Sequence, residues 1–257
     1  MVETGDRRVH LVIEGDVAVI TLARPEKLNA LDMPMILALE RAAHSVDANS
    51  SVKAAVITGQ GEKAFCAGGD IAAWSTESAE DFGLQWVRVG HRVFDALARL
   101  RMPLIAALNG SVMGGGLELA ACADIRIAEE HARFSLPETG LGIIPGWSGT
   151  QRAVQRFGSQ VVRRMSVVGE GFAADEALPL GLCDKLVAKG QSLAAAREMA
   201  MVIAKRSALA TAAAKMMINA AAGEDAPRAI EALGGIAAAH SSELKAGLAA
   251  FAAKKKN

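Results

Sequence analysis

The stretch Asn109–Glu118, NGSVMGGGLE, is the most informative part of this chain, because it places a carboxylate two positions after three consecutive glycines. It follows the apolar run Leu104–Leu108, which has the composition of a strand, and leads into a helical pattern that starts near Leu117. A turn between a strand and a helix leaves backbone N–H groups free to bind phosphate, or an oxyanion that forms on a carbonyl. The P-loop and dinucleotide-binding patterns are missing and Glu118 would repel a phosphate, so the stretch favours an oxyanion. A tight turn that needs only the positive φ of glycine is the simpler alternative.

A second carboxylate and a second glycine-rich turn lie in other parts of the chain. Leu136–Gly142, LPETGLG, carries Glu138, and Ala64–Asp70, AFCAGGD, contains a turn. An oxyanion hole normally uses two converging N–H donors, and carboxylates transfer protons. Glu118 and Glu138 are 20 positions apart (138 − 118), so a shared site depends on the tertiary fold. For Glu118 the alternatives are a helix edge or burial with a raised pKa, and for Glu138 a solvated role in its loop is equally open.

Length and charge restrict the class of protein. The 257 residues fit one large α/β domain or two small ones, and the 28 basic residues balance the 28 acidic ones. With no tyrosine and 4% aromatic residues, the chain lacks both the basic surface and the stacking residues of a nucleic-acid binder. The start is polar, and the longest uncharged run is too short to span a bilayer. We therefore expect a cytoplasmic protein with no nucleic-acid or membrane partner.

The metal-ligating and nucleophilic residue types show no recognisable spacing. Cys66, Cys122 and Cys183 are odd in number and widely separated, which fits neither a disulfide framework nor a zinc site. The five histidines have no ligand spacing, so we expect no metal site. A Ser-His-Asp triad stays open, although Gly146–Gly149, GWSG, differs by one residue from the nucleophile elbow of the hydrolases.

Strand and helix patterns alternate up to about residue 190, which is typical of an α/β layer fold. Residues 191–257 are alanine-rich and helical in pattern, so the predicted boundary lies between 190 and 191. The predicted strands are Val9–Ile13, Val17–Leu22, Ala54–Thr58, Leu104–Leu108, Asp124–Ala128 and Arg133–Ser135. Helices are predicted after the caps Asp32 and Ser78, the second helix carrying Trp86.

Four segments in this order resemble the crotonase family, also called the enoyl-CoA hydratase/isomerase superfamily: Arg24–Leu31, Ala64–Ile71, Asn109–Glu118 and Pro137–Arg152. The resemblance covers nearly the whole chain. It implies an α/β fold, a crotonase-like spiral of ββα units with a C-terminal helical trimerisation region. Residues 1–190 would then form the spiral core with the active site. Residues 191–257 would serve oligomerisation, as a homotrimer or a homohexamer, and complete the coenzyme A site.

The resemblance also implies an activity, the syn addition of water to a trans-2-enoyl-CoA within fatty-acid β-oxidation. The N–H groups of Gly69 and Gly115 would hold the thioester oxygen, Glu118 would deprotonate water, and Glu138 would protonate Cα. No cofactor is expected, because coenzyme A is part of the acyl-CoA substrate.

The remaining residues that the resemblance assigns to substrate binding are Lys27, Leu28, Ala30, Ala67, Gly68, Asp70, Ile71, Gly114, Pro137, Gly146, Trp147, Phe251 and Lys254. Phe251 and Lys254 would contact adenine and phosphate. The loop after Asp70 lacks the lysine that many members place there, so phosphate contacts would come from Lys27 or the C-terminal lysines. Trp147, with Trp74 and Trp86, would narrow the acyl pocket for short or medium chains, although core packing is the simpler role for Trp86.

Other members of the family remain alternatives. Isomerases commonly use one carboxylate, so the presence of both Glu118 and Glu138 favours a hydratase. A specialised dehydratase or an acyl-CoA hydrolase would give the same sequence pattern. An RNA-binding or non-catalytic member is disfavoured by the balanced charge and by the retention of both glutamates.

Overall fold

The computed structural model describes residues 2–242 together with residues 244, 246 and 248. Its strands are β1 (Val9–Glu14), β2 (Val17–Leu22), β3 (Ala54–Gly59), β4 (Ala64–Cys66), β5 (Leu104–Leu108), β6 (Ser111–Met113), β7 (Ile125–Glu129), β8 (Arg133–Ser135), β9 (Phe172–Ala173) and β10 (Lys185–Val187). Its α-helices are α1 (Met33–Ala48), α2 (Ile71–Trp74), α3 (Ala79–Asp81), α4 (Arg88–Ala98), α5 (Gly115–Ala120), α6 (Arg152–Phe157), α7 (Ser159–Arg163), α8 (Ala174–Ala177), α9 (Ser192–Ala204), α10 (Ala208–Ala221) and α11 (Ala226–Ala239). Short 3-10 segments cover Pro25–Lys27 and Glu138–Leu141, and π-helical segments cover Phe82–Val87 and Arg164–Val168.

A large sheet of six strands has the order β1-β2-β3-β5-β7-β10. Strands β1 and β2 form the predicted antiparallel hairpin, and all other neighbours pair in parallel. Every residue of β3 and β5 is buried, as the continuous apolar runs of these strands indicate for a parallel sheet covered on both faces.

A small sheet of four strands has the order β4-β6-β8-β9, and β4, β6 and β8 run in parallel. The chain places β3 in the large sheet and β4 in the small one, and it repeats this step with β5 and β6 and with β7 and β8. Helical segments follow each of these strand pairs. This repetition is the spiral of ββα units, so the predicted fold is confirmed.

Both predicted helix caps are present. Asp32 Oδ1 accepts the Met35 N–H (3.1 Å) at the start of α1, and Ser78 Oγ accepts the Asp81 N–H (3.0 Å) at the start of α3. The helix predicted after Ser78 is not regular, because the π-helical segment Phe82–Val87 lies between α3 and α4. This segment buries Trp86 in the main core.

The chain forms two compact units, Met1–Ala208 and Leu209–Asn257. Helix α9 packs on the large sheet through Ala196 and Ala200, and it belongs to the first unit although the predicted boundary precedes it. The second unit contains nearly all of α10 together with α11. No helix in the described residues combines the length and apolarity that a bilayer span requires.

Candidate active site

Three parallel strands of the small sheet bring the predicted residues to one place. Strand β4 ends at Cys66 before the Gly68-Gly69 turn, β6 ends at Met113 before Gly114, and β8 ends at Ser135 before the loop with Glu138. Since the carboxyl ends of neighbouring parallel strands lie at the same edge of a sheet, the three loops meet there. The order of the motifs along the chain is therefore the order of the strands in the sheet.

A cleft of about 250 Å³ lies between these loops. All four predicted catalytic residues line it: Gly69, Gly115, Glu118 and Glu138. Seven predicted substrate-binding residues line it as well: Ala67, Gly68, Ile71, Gly114, Pro137, Gly146 and Trp147. The cleft is mainly apolar, since Trp74, Phe82, Trp86, Val87, Met113, Leu141, Ile143 and Ile144 also contribute to its walls.

Two backbone N–H groups in this cleft have no protein acceptor among the described residues. The Leu31 N–H donates to the Gly68 carbonyl (2.8 Å) and the Asp70 N–H donates to the Leu31 carbonyl (2.7 Å), so the Gly69 N–H between them points away from Leu31. Gly115 is the first residue of α5, where no intrahelical acceptor exists for its N–H. The geometry leaves both groups available to an oxygen in the cleft.

Glycine is required at positions 68, 69 and 115, because the two turns lie in contact with each other and with indole rings. Gly68 has φ +98°, and a Cβ there would lie 3.0 Å from the Gly115 nitrogen. A Cβ on Gly115 would lie 2.6 Å from the Trp147 ring, and one on Gly69 would lie 2.9 Å from the Trp86 ring. Backbone and indole rings therefore fix the position of both N–H donors.

Glu118 is buried on α5, with 2% of its surface exposed. Its Oε1 accepts the N–H groups of Trp147 (2.7 Å) and Gly149 (2.6 Å). Burial, followed by the charge of Glu138, raises the pKa of Glu118 to about 8, against the opposing effects of these hydrogen bonds and of Arg152. The alternative of a burial-raised pKa is thus the one that the structure supports.

Glu138 begins a 3-10 turn and has 8% of its surface exposed. Its Oε2 is buried and has no hydrogen-bond partner among the described residues. Burial raises the pKa of Glu138 to about 7. A carboxyl with a buried oxygen that lacks a donor favours the neutral form, since a charge there would be neither solvated nor paired.

The loop that precedes α1 contacts the Gly69 turn through an ion pair between Arg24 and Asp70. The guanidinium Nη1 of Arg24 contacts the Asp70 carboxylate (2.8 Å), lies 3.5 Å from Asp32, and donates to the Ala30 carbonyl (3.1 Å). Asp70 also caps α2 by accepting the Ala72 N–H (3.2 Å). The Asp70 carboxylate is therefore engaged in an ion pair and a cap on the far side of the Gly69 turn.

Four predicted substrate-binding residues do not line the cleft: Lys27, Leu28, Ala30 and Asp70. Leu28 lines a separate pocket of about 350 Å³ together with Lys63 and Lys189. Two further predicted contacts, Phe251 and Lys254, lie outside the described residues. The roles of these six residues stay predictions.

The tryptophans combine packing with lining of the cleft. Trp147 Nε1 donates to the Trp86 carbonyl (3.2 Å), and the Trp147 ring lies 5.3 Å from that of Trp86 and 5.2 Å from that of Phe94. A Cβ on Gly90 of α4 would lie 2.2 Å from the Trp147 indole, so only glycine admits the ring there. Trp86 belongs to the core and also lines the cleft.

Sequence reasoning missed the apolar wall formed by Phe82, Met113, Leu141, Ile143 and Ile144. One signal was available in the sequence. Leu141, Ile143 and Ile144 are large apolar residues in a glycine-rich loop directly after a candidate carboxylate. Leu141 and Ile144 are 56% and 71% exposed, and neighbouring exposed apolar residues of this kind mark ligand-binding grooves.

The Ser-His-Asp alternative fails on geometry. Ser148 Oγ lies 3.3 Å from His91 Nε2, but it is the same nitrogen that lies 3.8 Å from Asp95 Oδ1. A relay requires opposite ring nitrogens of the histidine for the two partners. Ser148 and His91 also do not line the cleft. No cluster of potential metal ligands occurs among the described residues.

The cleft combines paired free N–H donors with two carboxyls whose pKa values are raised. Such an arrangement can stabilise charge on an oxygen and transfer protons. The chain belongs to the enoyl-CoA hydratase/isomerase family, whose family model matches residues 12–257. The predicted family is therefore confirmed.

Relatives with curated names support the predicted enzyme class. The chain is 39% identical over 209 residues to a short-chain-enoyl-CoA hydratase of Clostridium acetobutylicum, covering 80% of this chain and 78% of the relative. It is 36% identical over 248 residues to a crotonyl-CoA hydratase of Syntrophomonas wolfei, covering 95% and 94%. The crystal structure of an enoyl-CoA hydratase from Bacillus anthracis matches with a TM-score of 0.82 at 30% identity, over 96% of this chain and 97% of the other.

Proposed function

We propose that this protein adds water to a trans-2-enoyl-CoA and forms the 3-hydroxyacyl-CoA. The observation that carries the proposal is the meeting of Gly69, Gly115, Glu118 and Glu138 in one cleft. The thioester oxygen would accept both glycine N–H groups, which polarises the conjugated double bond and stabilises the enolate-like transition state. Hydration needs both a base and an acid, and the cleft offers one carboxyl for each task.

The two glutamates would act at opposite ends of the addition. Glu118 takes a proton from water while the water oxygen bonds to Cβ. The electron pair of the double bond moves toward the thioester, and Glu138 delivers its proton to Cα. The pair ends with the proton on Glu118, so one proton returns to Glu138 through solvent before the next turnover.

The distribution of charge in the free site supports this assignment. With pKa values of about 8 and about 7, the two carboxyls do not both ionise at neutral pH. The N–H bonds to Glu118 Oε1 favour the anion there, whereas the unpartnered Oε2 of Glu138 favours a proton. Burial nevertheless raises the pKa of Glu118 above that of Glu138, so the proposed assignment of base and acid rests on the hydrogen bonds and not on the order of the pKa values.

The dimensions of the cleft favour a short acyl group. A volume of about 250 Å³ gives room for roughly eight water-sized groups, which fits a four-carbon enoyl thioester better than a sixteen-carbon one. Trp147 and Trp86 pack against each other at this wall, so the wall does not yield easily. Two of the relatives are named for short-chain and crotonyl substrates. Equal specificity constants for C4 and C16 enoyl-CoA would contradict this part of the proposal.

The proposal also covers the cofactor requirement, the assembly and the location of the protein. No metal or redox group takes part, because the thioester makes Cα acidic without one. The second unit, Leu209–Asn257, would join copies of the chain as a homotrimer or a homohexamer. Exposed apolar side chains on its helices, Met217, Ile218 and Ile230, support a contact between copies. We also propose a cytoplasmic location and a place in fatty-acid β-oxidation.

Product analysis with crotonyl-CoA tests the proposed reaction. We expect the absorbance of the conjugated thioester to fall and 3-hydroxybutyryl-CoA to accumulate to equilibrium. Release of free coenzyme A alone would indicate a hydrolase. Migration of the double bond in a 3-enoyl-CoA, without hydration of the 2-enoyl isomer, would indicate an isomerase.

A further inference from the structure

The turn that holds Glu118 contains a serine in an unfavourable backbone conformation. Ser148 has φ +87°, in the left-handed region that favours glycine. It lies between Trp147 and Gly149, the residues whose N–H groups both donate to Glu118 Oε1. Backbone N–H groups that converge around such a turn form a concave site for an anion. The strained residue is therefore the one that brings the two donors to the same oxygen.

Two helices hold this turn from outside the cleft. Ser148 is 5% exposed, and its Oγ lies 3.3 Å from Nε2 of His91 on α4. His91 Nε2 lies 3.8 Å from Oδ1 of Asp95, one helical turn further along α4. Asp95 Oδ1 also accepts a hydrogen bond from Arg152 Nη2 (2.5 Å), and Arg152 is the first residue of α6. The side chains thus connect the turn to α4 and to the helix that follows it.

The charged groups around Glu118 and His91 belong to this same set. Glu118 experiences the charges of Glu138 and Arg152. His91 has Asp95 as its carboxylate neighbour, and Asp95 is shared with Arg152 and with Arg99, whose Nη2 lies 3.2 Å away. Neither His91 nor Ser148 lines the cleft. Any effect of these two residues on the reaction therefore passes through the turn, by way of Glu118 or of the Trp147 ring beside Gly115.

We propose that Ser148 and His91 are positioning residues for Glu118, which hold the strained turn that aims the Trp147 and Gly149 N–H groups at Oε1. This inference rests on the proposed role of Glu118 as the base. A conformation that costs free energy persists only when its surroundings enforce it, and the contact of Ser148 Oγ with His91 adds to the hydrogen bonds that the Ser148 carbonyl accepts from the Gln151 and Ala153 N–H groups. Loss of that contact lets the turn relax and withdraws hydrogen bonds from the carboxylate.

Substitutions at position 148 separate strain from contact. Ser148→Ala keeps the unfavourable φ and removes the hydroxyl, so we expect kcat for crotonyl-CoA hydration to fall roughly 10- to 100-fold with little change in KM. Ser148→Gly also removes the hydroxyl but adopts positive φ without cost, so it restores most of kcat. In the Ser148→Gly background, His91→Ala has little further effect, whereas in the wild-type background it resembles Ser148→Ala.

A titration of Glu118 keeps this test independent of the activity. The carbon NMR signal of the Glu118 carboxyl, assigned by its loss in Glu118→Gln, reports its pKa directly. We expect Ser148→Ala to raise this pKa and Ser148→Gly to leave it near the wild-type value, with unfolding midpoints showing that both variants fold. An unchanged pKa and kcat in Ser148→Ala, or equal impairment in Ser148→Gly and Ser148→Ala, would overturn the inference. Failure of the wild-type protein to hydrate any enoyl-CoA would refute the proposed function, but the titration would still decide this inference.

Discussion

Glu118 and Glu138 line the same cleft and are both buried, yet their surroundings differ. The helix α5 holds Glu118, and two backbone N–H groups donate to its Oε1. Glu138 lies on a short 3-10 turn, and its Oε2 has no donor among the described residues. The hydrogen bonds of the two chemically identical side chains thus favour opposite protonation states. The proposed mechanism uses this difference, with Glu118 as the base and Glu138 as the acid.

Among the tests of this comparison, removal of either carboxyl should have the largest effect on kcat. Glu118→Gln and Glu138→Gln should each lower kcat for crotonyl-CoA hydration by about 10²- to 10⁴-fold, because each loses one proton transfer. Gln preserves the size of the side chain, so both variants should fold. The absorbance shift of a bound conjugated enoyl-CoA should persist in both, since Gly69 and Gly115 still polarise the thioester. Near-normal hydration by Glu138→Gln would contradict the mechanism with two carboxyls.

Displacement of an N–H donor in the cleft should have the next largest effect on kcat. Gly115→Ala places a Cβ 2.6 Å from the Trp147 ring, so the turn must move and its N–H loses its aim. We expect a loss in kcat of roughly 10²- to 10³-fold, together with a smaller absorbance shift of the bound thioester. Gly83→Ala is the matched control, because a Cβ at Gly83 meets nothing within 4 Å. If Gly115→Ala lowered kcat without changing the absorbance shift, Gly115 would not be a donor to the thioester.

Removal of the ion pair between Arg24 and Asp70, beside the Gly69 turn, should have a smaller effect on kcat. Arg24→Gln removes the contact with Asp70 (2.8 Å) and loosens the attachment of the turn, so we expect kcat to fall about 10-fold and the absorbance shift to decrease. The control is Arg92→Gln, which removes an ion pair with Glu40 from an exposed arginine and should leave kcat unchanged. Equal effects of the two substitutions would show that Arg24 does not position the donor.

The smallest effect is expected on the pH dependence of the free energy of unfolding, which tests Glu138 in particular. The folded pKa of Glu138, about 7, is raised above its usual value of 4.5, so its contribution to stability is complete below pH 4.5 and is lost as pH rises through about 7. Glu138→Gln cannot ionise, and its free energy of unfolding relative to wild type should increase across this range and then level off. Urea denaturation at several pH values measures the difference. If the difference in the free energy of unfolding did not change with pH, the pKa of Glu138 would not be raised in the folded protein.

Most of the large sheet and the glycine–glutamate motifs were predictable, whereas only β8 of the small sheet was. Strands such as β3 and β5 are continuous apolar runs of five or six residues, long enough to recognise. Strands β4 and β6 have three residues each and β9 has two, which is too short for any periodicity. These short strands nevertheless bring the catalytic loops together.

Local motifs together with the family resemblance predict the candidate site residues, but not what surrounds them. Gly69, Gly115, Glu118 and Glu138 were predicted in this way and lie in one cleft. The donors to Glu118 come from positions 147 and 149, which are 29 and 31 residues away in the chain, and no spacing rule connects them to it. The environment that separates the two carboxyls is therefore a product of the tertiary fold alone.

The location of the shared proton tests this account most directly. Infrared difference spectra at neutral pH, of wild type against Glu138→Gln and against Glu118→Gln, report the C=O stretch of a neutral carboxyl. We expect this band in wild type and in Glu118→Gln, and its loss in Glu138→Gln, because the proposed mechanism places the proton on Glu138 and uses the two N–H groups to favour the anion of Glu118. Loss of the band in Glu118→Gln, with its retention in Glu138→Gln, would contradict the assignment of acid and base.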